Sequence, residues 1–436
     1  MRTLRRLLSQ HSDYRLVLTA GLISLTGDWI LRTGLAYQVY QVTGSALASG
    51  GMLIASFLPQ IVLGSVAGTL VDRWNRRRTM ITTNLLLAAG LVPLLFVDRP
   101  ERIWIVYAVM VWEGCVQVFF EPAEKALIPS LVDTQHLVTA NALNAQTADL
   151  ARLIGGAAGG VTAAWGGIGA VALLDLLTFI TSAVLLRRIR TRGKRSPSDP
   201  VTVGVKGRLR QLRTEWADGL SLTWRLRPLQ VVFGFVVVTS VGEGIMSTLF
   251  APFVRDVLHG SGSAYGTLMA AQAVGGITGG LLTAVIGQRF PAARLWGVGA
   301  LAFGAIDLAL FCYPVVTEGA GIWPALACMI VAGAPASLAI AGLMTVLQGV
   351  TDNGVRGRVF GALGVVDAGS TLVGIAAGGA LGEKVGIVPL LTGQGIGLVL
   401  GGFLVLGCSG SLRTPETDTA IRLRGRASAP QDVDAT

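Results

Sequence analysis

Charged residues are the scarcest class in this chain. Lys, Arg, Asp and Glu make up 14% of the 436 residues, whereas hydrophobic residues make up 52% and the mean hydropathy is +0.63. Soluble globular domains carry about 25% charged residues. The composition therefore excludes an ordinary soluble globule and indicates an integral membrane protein.

Several chemical signatures are also missing. The four cysteines lie far apart, without the spacing of a disulfide framework or a thiolate metal site. The three histidines, His11, His136 and His259, show no metal-ligand spacing, no glycine-rich nucleotide loop is present, and no nucleophile stands beside a base. We therefore expect no metal, no cofactor and no enzymatic activity.

Long apolar runs fill most of the chain. About 20 residues at 1.5 Å rise cross a hydrocarbon core of about 30 Å, and twelve charge-poor runs meet that length. The predicted spans cover residues 16–41, 47–71, 79–97, 103–121, 137–164, 168–186, 229–254, 263–287, 293–315, 320–348, 357–381 and 386–408. The predicted fold class is an all-α integral membrane protein with twelve transmembrane helices.

A basic, polar stretch divides these spans into two sets of six. Twelve Lys or Arg fall within 187–227, and apolar residues recur at helical spacing within 208–227. We predict one six-helix bundle over 1–187, a basic linker with an amphipathic helix over 188–228, a second bundle over 229–410, and a disordered tail over 411–436.

The two bundles repeat each other. The small-residue run 155–160 recurs at 374–379, an offset of 219 in a chain of 436. Small residues let helix backbones approach closely in a membrane. The pairs Gly155/Gly159 and Gly275/Gly279 are therefore predicted to be packing seams, and the repeat favours two pseudo-symmetric halves.

Basic residues predict the orientation. Of 35 Lys and Arg, 29 lie in the termini, in even-numbered loops or within two residues of those loops, four lie in odd-numbered loops and two lie deep within spans. The positive-inside rule then places both termini in the cytoplasm of a multi-pass protein of the cell membrane. The basic character thus reflects topology and contact with lipid, and we expect no nucleic-acid partner.

The loop 68–78, Gly-Thr-Leu-Val-Asp-Arg-Trp-Asn-Arg-Arg-Arg, resembles the signature loop between helices 2 and 3 of the major facilitator superfamily. The runs 126–132, 140–144 and 356–360 resemble its enterobactin-exporter-like and macrolide-efflux-like branch. The resemblance implies two rocking halves around a central site. It also implies a gating loop formed by Gly68, Asp72, Arg73, Arg76 and Arg77, in which the acid meets the N-terminus of helix 11 and the arginines anchor the loop to headgroups or acids.

Carboxylates within spans are costly and usually face a cavity or a partner. Asp28, Glu113 and Glu243 fall near the middle of spans 1, 4 and 7, and the resemblance implies that these helices line the central cavity. Arg32 follows Asp28 by four residues, so the two share a helix face and are expected to pair. The three acids are predicted to carry protons, and the alternative for Asp28 and Arg32 is a static packing pair.

Other ionisable residues lie in spans 5, 6 and 9. Asp149 and Arg152 stand three apart in span 5, at the boundary between halves, where they form either an interdomain pair that breaks during rocking or a packing pair. Asp175 and Asp307 lie in spans 6 and 9, which the resemblance places at the periphery, and are predicted to be structural.

Aromatic and polar residues on the presumed cavity helices are the candidates for substrate contact, although lipid-facing packing explains each one equally well. An aromatic wall with few acids suits amphipathic or cationic organic molecules. The candidates are Trp29, Tyr37, Gln38, Trp112, Gln117, Phe120, Phe250 and Gln348.

The sequence thus predicts a monomeric secondary transporter that exchanges protons for a hydrophobic or amphipathic small molecule, such as a drug, a macrolide-like antibiotic or a siderophore. Its energy would come from the proton gradient. Two alternatives stay open: a facilitator that imports a nutrient or moves a lipid, and a non-transporting membrane partner protein.

Overall fold

A computed structural model describes residues 11–71, 74–97, 99–133, 136–190, 226–317, 321–351 and 353–410. Helices make up nearly all of these residues, and no strand occurs among them. Residues 191–225, which make up most of the predicted basic linker, and the tail 411–436 lie outside the described residues, as do Asp72 and Arg73 of the signature loop.

Twelve α-helices lie within the described residues. In chain order they are α1 (Ser12–Thr43), α2 (Ala46–Val71), α3 (Arg76–Leu91), α4 (Trp104–Gln117), α5 (Phe120–Leu127), α6 (Leu137–Arg187), α7 (Arg227–Pro252), α8 (Gly262–Ile286), α9 (Ala292–Val316), α10 (Trp323–Val350), α11 (Asn353–Val385) and α12 (Ile387–Gly407).

Helix α6 changes direction at Gly167, whose φ of 62° and ψ of −157° are not helical. Only glycine adopts such a conformation readily, because it has no Cβ. The break separates a first arm, 137–166, from a second arm, 168–187. These arms coincide with predicted spans 5 and 6.

Within the described residues, eight helical segments are long and apolar enough to cross a membrane, and Ala46–Gln60 is a shorter apolar stretch. The all-α membrane architecture predicted from the sequence is therefore confirmed. The count of twelve spans stays a prediction. Below, the terminal face is the membrane face where α1 begins and α12 ends, and the distal face is the opposite one.

Exposed tryptophans mark the distal face. Trp104 at the start of α4, Trp165 near the end of the first arm of α6 and Trp323 at the start of α10 are 64%, 87% and 76% exposed. Indole rings concentrate at membrane interfaces because one end is apolar and the other donates a hydrogen bond. Their positions at helix ends on the distal side indicate where the lipid boundary lies there.

The same glycine seam occurs in both halves. A Cβ on Gly155 would stand 2.5 Å from the Thr26 carbonyl oxygen of α1, and one on Gly374 would stand 2.0 Å from the Val241 carbonyl oxygen of α7. The first arm of α6 therefore lies directly on α1, as α11 lies on α7. The repeat at an offset of 219 thus corresponds to one helix contact made twice.

The second predicted seam joins α8 to α10. A Cβ on Gly275 would lie 2.1 Å from the Ile330 carbonyl oxygen, and one on Gly279 would lie 2.4 Å from the Ala334 Cα. Both distances are well below van der Waals contact, so any side chain would force the helices apart. This prediction is confirmed.

Candidate functional site

A cavity of about 970 Å³ lies within the N-terminal half. Its wall is built from α1, α2, α4, α5 and the first arm of α6, and it runs from Asp28 and Arg32 in mid-α1 to Glu121, Lys125 and Pro129 near the terminal face. Those last three residues are exposed or half-buried, so the cavity leads toward the terminal face.

Asp28 and Arg32 reach this cavity from successive turns of α1, and each has a partner on α4. The Gln117 amide nitrogen donates to Asp28 Oδ2 at 3.2 Å, and Arg32 Nη2 lies 3.7 Å from Glu113 Oε1. Glu113 is buried behind the cavity wall. The four residues form a polar cluster between α1 and α4.

Asp175 completes this cluster from the second arm of α6. It is buried, its Oδ1 accepts a hydrogen bond from the Thr178 hydroxyl, and it lies within electrostatic range of Asp28, Glu113 and Arg32. Gly27 makes this approach possible, since a Cβ there would stand 2.1 Å from Asp175 Oδ1. Three carboxyl groups thus surround one guanidinium, and we call these residues with Gln117 the buried acid cluster.

Two expectations from the sequence are corrected here. Arg32 does not form its ion pair with Asp28, since its long side chain reaches across to α4 and pairs with Glu113. Asp175 is not peripheral, because the second arm of α6 packs its Asp175 side chain against Gly27 of α1. Sequence spacing orders residues along one helix but does not show which neighbouring helix lies closest.

Glu243 belongs to a second group, between the halves. Two charged side chains interact electrostatically with its carboxylate: Arg152, from the first arm of α6, and Asp367, from α11. All three side chains are exposed, and Asp367 Oδ1 accepts a 2.5 Å hydrogen bond from Ser240. The side chain of Asp149, the predicted partner of Arg152, lies outside the described residues.

The C-terminal half contains a further buried acid. Asp307 on α9 accepts a hydrogen bond at 3.4 Å from the Gln394 amide on α12, and both side chains are buried. Gln394 stands 219 residues after Asp175, so the repeat places an amide where the first half has a carboxyl group. The two halves therefore differ in buried charge at equivalent positions.

The two halves are joined at the distal face. Asp256 Oδ2 accepts a hydrogen bond from the Tyr40 hydroxyl, Arg255 Nη1 donates to the Tyr40 carbonyl oxygen at 3.1 Å, and Ser45 donates to Glu383 at 2.9 Å. The Arg255 guanidinium also lies over the Tyr40 ring, 5.3 Å from its centroid. We call these five residues the distal latch.

The distal latch and the cavity lie at opposite faces. The latch joins the two halves at the distal face, whereas the cavity, which is lined by the N-terminal half, leads to the terminal face.

The arginines of the signature loop bond to the ends of helices. Arg76 Nη1 donates to the Ala126 carbonyl oxygen at 2.9 Å, and Arg77 Nε donates to the Leu186 carbonyl oxygen at 2.9 Å. A cation is favoured at a helix C-terminus, where carbonyl groups lack intrahelical partners. These two arginines therefore bind backbone carbonyls at helix ends, and their anchoring to headgroups stays a prediction. Asp72 and Arg73 lie outside the described residues, as does the environment of Gly68.

The predicted substrate contacts separate into three groups. Trp29, Gln117 and Phe120 line the cavity. Tyr37 packs 5.8 Å from the Tyr265 ring at the distal side, and Phe250 packs 5.6 Å from the same ring. The remaining three lie elsewhere: Gln38 donates to the Ala163 carbonyl oxygen, Trp112 donates to the Leu86 carbonyl oxygen, and Gln348 lies exposed near the end of α10.

Sequence reasoning missed a polar patch in the cavity wall. Asn144 donates to Glu124 Oε1 at 3.4 Å and accepts from the Tyr14 hydroxyl at 3.2 Å, and Glu124 and Asn144 line the cavity. Glu124 lies between Glu121 and Lys125, an exposed ion pair at the end of span 4, and so resembled part of a solvated charge cluster in the sequence. Its position three residues after Glu121 places both acids on one helix face, and both line the cavity.

Comparison with known proteins adds independent findings. A family model described as "Transmembrane secretion effector" matches residues 8–432. The uncharacterized MFS-type transporter YfiS of Bacillus subtilis (strain 168) is 26% identical, with 89% of this chain and 91% of that protein covered. Macrolide efflux protein A of Streptococcus pyogenes is 23% identical over 61% of this chain and 64% of its own length.

Solved structures share the fold. A bacterial homologue of the iron transporter ferroportin, in its inward-facing state, superposes with a TM-score of 0.71 at 14% identity, covering 91% of this chain and 98% of that one. The fold predicted from the signature loop is thereby confirmed.

Proposed function

The chain belongs to the transmembrane secretion effector family of major facilitator transporters, and from that premise we propose that it exports hydrophobic or amphipathic small molecules in exchange for protons. The buried acid cluster carries this proposal. The family is one of transporters rather than enzymes, in keeping with the absence of catalytic motifs in the sequence.

Charge balance makes the cluster suited to proton binding. Asp28, Glu113 and Asp175 are buried around the single cation Arg32. Unpaired charge in a low-dielectric interior costs several kcal/mol per ion, even after relaxation. One guanidinium neutralises one carboxylate, so bringing the cluster to neutrality requires protons on the others.

The position of the cluster links protons to cargo. Asp28 and Arg32 belong both to the cavity wall and to the cluster, whereas Glu113 and Asp175 are screened behind them. A proton from the cavity would reach Asp28 first, and Arg32, which stays charged, would then neutralise Glu113. Protonation would alter the charge that the wall presents and so favour release of cargo.

The cavity wall supports an amphipathic cargo. Leu18, Leu25, Trp29 and Phe120 supply apolar surface, and Glu124 supplies a carboxylate. Such a wall binds an apolar body by burial and an amine by charge. The similarity to macrolide efflux protein A supports the same class, since its name describes removal of a bulky organic molecule.

Alternating access would begin with the distal latch closed. If the terminal face is cytoplasmic, as the positive-inside rule predicts, cargo enters the cavity from the cytoplasm. Rocking would then open the distal latch and close the terminal side, where the resemblance gives Asp72 its gating role. Protons arriving from outside would displace the cargo, and their release to the cytoplasm would reset the cycle.

The proposal is tested in everted membrane vesicles with an imposed pH gradient, acid inside. Erythromycin and ethidium serve as probes of a macrolide and a lipophilic cation. We expect the gradient to drive uptake and nigericin to abolish it. Glu113→Gln should lower the gradient-driven uptake rate by at least about tenfold, because a positioned acid–base group contributes 10²–10⁴-fold to the rate of a proton-transfer step. Glu101→Gln, an exposed distal acid, is the matched control and should retain the rate.

Other outcomes identify the alternatives. Uptake that ignores the gradient would indicate a facilitator and refute proton exchange. Unchanged cellular phenotype after Asp28→Asn, Glu113→Gln and Glu243→Gln together would indicate a non-transporting partner protein. Uptake of neither probe, with the gradient intact, would refute the proposed cargo class.

A further inference from the structure

Two histidines that are 125 residues apart in the sequence meet at the terminal face. His11 directly precedes α1 and His136 directly precedes α6, and their ring centroids are 5.8 Å apart in an edge-to-face arrangement. Asp133 joins them, with its Oδ2 at 3.7 Å from His11 Nε2. One ligand atom from each of the three residues lies within 4.8 Å of those of the other two.

One imidazole nitrogen of each histidine is buried without a hydrogen bond to any part of the chain that the structure describes. His11 Nε2 and His136 Nδ1 are both buried, and neither has a hydrogen-bond partner among the described residues. Buried polar atoms without partners are rare in folded proteins and require an explanation. Both histidines occupy helix N-cap positions, yet neither side chain caps its helix, so capping does not supply one.

We propose that His11, Asp133 and His136 form a binding site for a divalent transition-metal ion of the zinc type. Two imidazoles and one carboxylate are a ligand set that Zn²⁺ uses with a fourth, open position. Bonds of about 2.0–2.1 Å in a tetrahedral site separate ligand atoms by roughly 3.3 Å. The 3.7 Å separation of His11 Nε2 and Asp133 Oδ2 is close to this value. Small side-chain rotations would bring an imidazole nitrogen of His136 within bonding distance of the same ion.

Charge around the site is compatible with a cation. The N-termini of α1 and α6 both point toward it, and their partial positive charge alone would oppose a metal ion. Asp133 supplies a ligand carboxylate, and Asp13 lies in the first turn of α1. The negative charge of these two acids offsets the partial positive charge of the helix ends. The Asp133 side chain is 68% exposed, so an ion can enter the site from solvent.

The site would act as a clamp beside the cavity. Leu18, in the second turn of α1, and Leu137, next to His136, both line the cavity. A bound ion would hold the first residues of these helices at a fixed separation. This inference is independent of the proposed exchange of protons for cargo.

The test uses the full-length protein, purified with an affinity tag that contains no histidine. Co²⁺ and Zn²⁺ are titrated separately, with visible Co²⁺ absorption reporting tetrahedral coordination and calorimetry reporting Zn²⁺ affinity. The site variants are His11→Asn and His136→Asn, because Asn is a favourable N-cap residue and should preserve both helices. The control is His259→Asn, in a distal loop where φ is 52°, a conformation that Asn tolerates.

We expect one equivalent of metal in the wild type and in His259→Asn. Each site variant should bind at least about tenfold more weakly, since even residues that only support metal ligands contribute 10- to 100-fold. Asp133→Asn should weaken binding in the same way without touching either N-cap. No saturable binding by the wild type, or equal affinity in the wild type and all variants, would overturn the site and leave a simple His11–Asp133 ion pair.

Discussion

Removing the cation of the buried acid cluster gives the sharpest test of how that cluster is held together. In Arg32→Met, the apolar side chain would keep much of the volume but leave Glu113 without the guanidinium that lies 3.7 Å away. Breaking a buried pair from one side costs about 3–5 kcal/mol, because the remaining charge is uncompensated. We therefore expect the free energy of unfolding to fall by this amount, and by less at a pH where Glu113 takes up a proton.

The exposures of the two side chains predict an asymmetry. The Glu113 side chain is 2% exposed, whereas the Arg32 side chain is 22% exposed and reaches the cavity. After Glu113→Gln, the guanidinium can still be hydrated from the cavity, so the cost should be about 1–3 kcal/mol. The double variant Arg32→Met/Glu113→Gln removes both charges and should be more stable than Arg32→Met alone by at least about 1 kcal/mol.

The assay is urea unfolding in mixed micelles, followed by tryptophan fluorescence, for the wild type, both single variants and the double variant. Arg294→Met, at an exposed position of α9, is the matched control and should change the free energy of unfolding by less than about 0.5 kcal/mol. Strictly additive losses in the double variant would refute the reasoning, since they would mean that Arg32 and Glu113 do not interact.

Three further predictions concern helix packing and gating. Gly374→Ala should lower the free energy of unfolding by about 1–3 kcal/mol because its Cβ would stand 2.0 Å from a carbonyl oxygen of α7. Gly364→Ala, with nothing within 4 Å, should instead be neutral or stabilising by up to about 1 kcal/mol, and equal effects in urea unfolding would contradict the seam. Tyr40→Phe removes the hydroxyl that donates a hydrogen bond to Asp256. Losing one hydrogen bond should weaken the distal latch by about 1 kcal/mol and raise the labelling rate of a cysteine introduced at the distal face by about five- to tenfold. Unchanged labelling would show that the latch does not hold the halves together. Asp72→Asn should lower turnover in the vesicle assay more than probe affinity, and an unchanged rate would mean that the loop only sets topology.

Much of the architecture was readable from composition and spacing. The apolar runs predicted membrane helices, and the glycine spacing predicted the seam that places α6 on α1. The offset of 219 residues predicted repeated halves, and the structure shows the same seam again between α11 and α7. Gly167, in the gap between predicted spans 5 and 6, allows the break in α6. Such features are local, because a helix in lipid must satisfy its own backbone and a seam needs small residues whatever its neighbours are.

The site was only partly predictable. Asp28, Arg32 and Glu113 stood out because charges are expensive in a membrane, and the structure brings them together. Asp175 was misjudged, and the distal latch of Tyr40 and Asp256 was missed. A sequence shows that a charge lies within a span, but it does not show which helix provides the neighbouring atoms.

The sequence by itself determined that the chain crosses a membrane, that its halves repeat and that a few acids must be shielded from lipid. Only the tertiary structure decided that Arg32 pairs with Glu113 and that His11 meets His136. The reason is physical: hydropathy and backbone hydrogen bonding act within each helix, whereas the partner of a buried charge depends on side chains that reach across from helices distant in the chain.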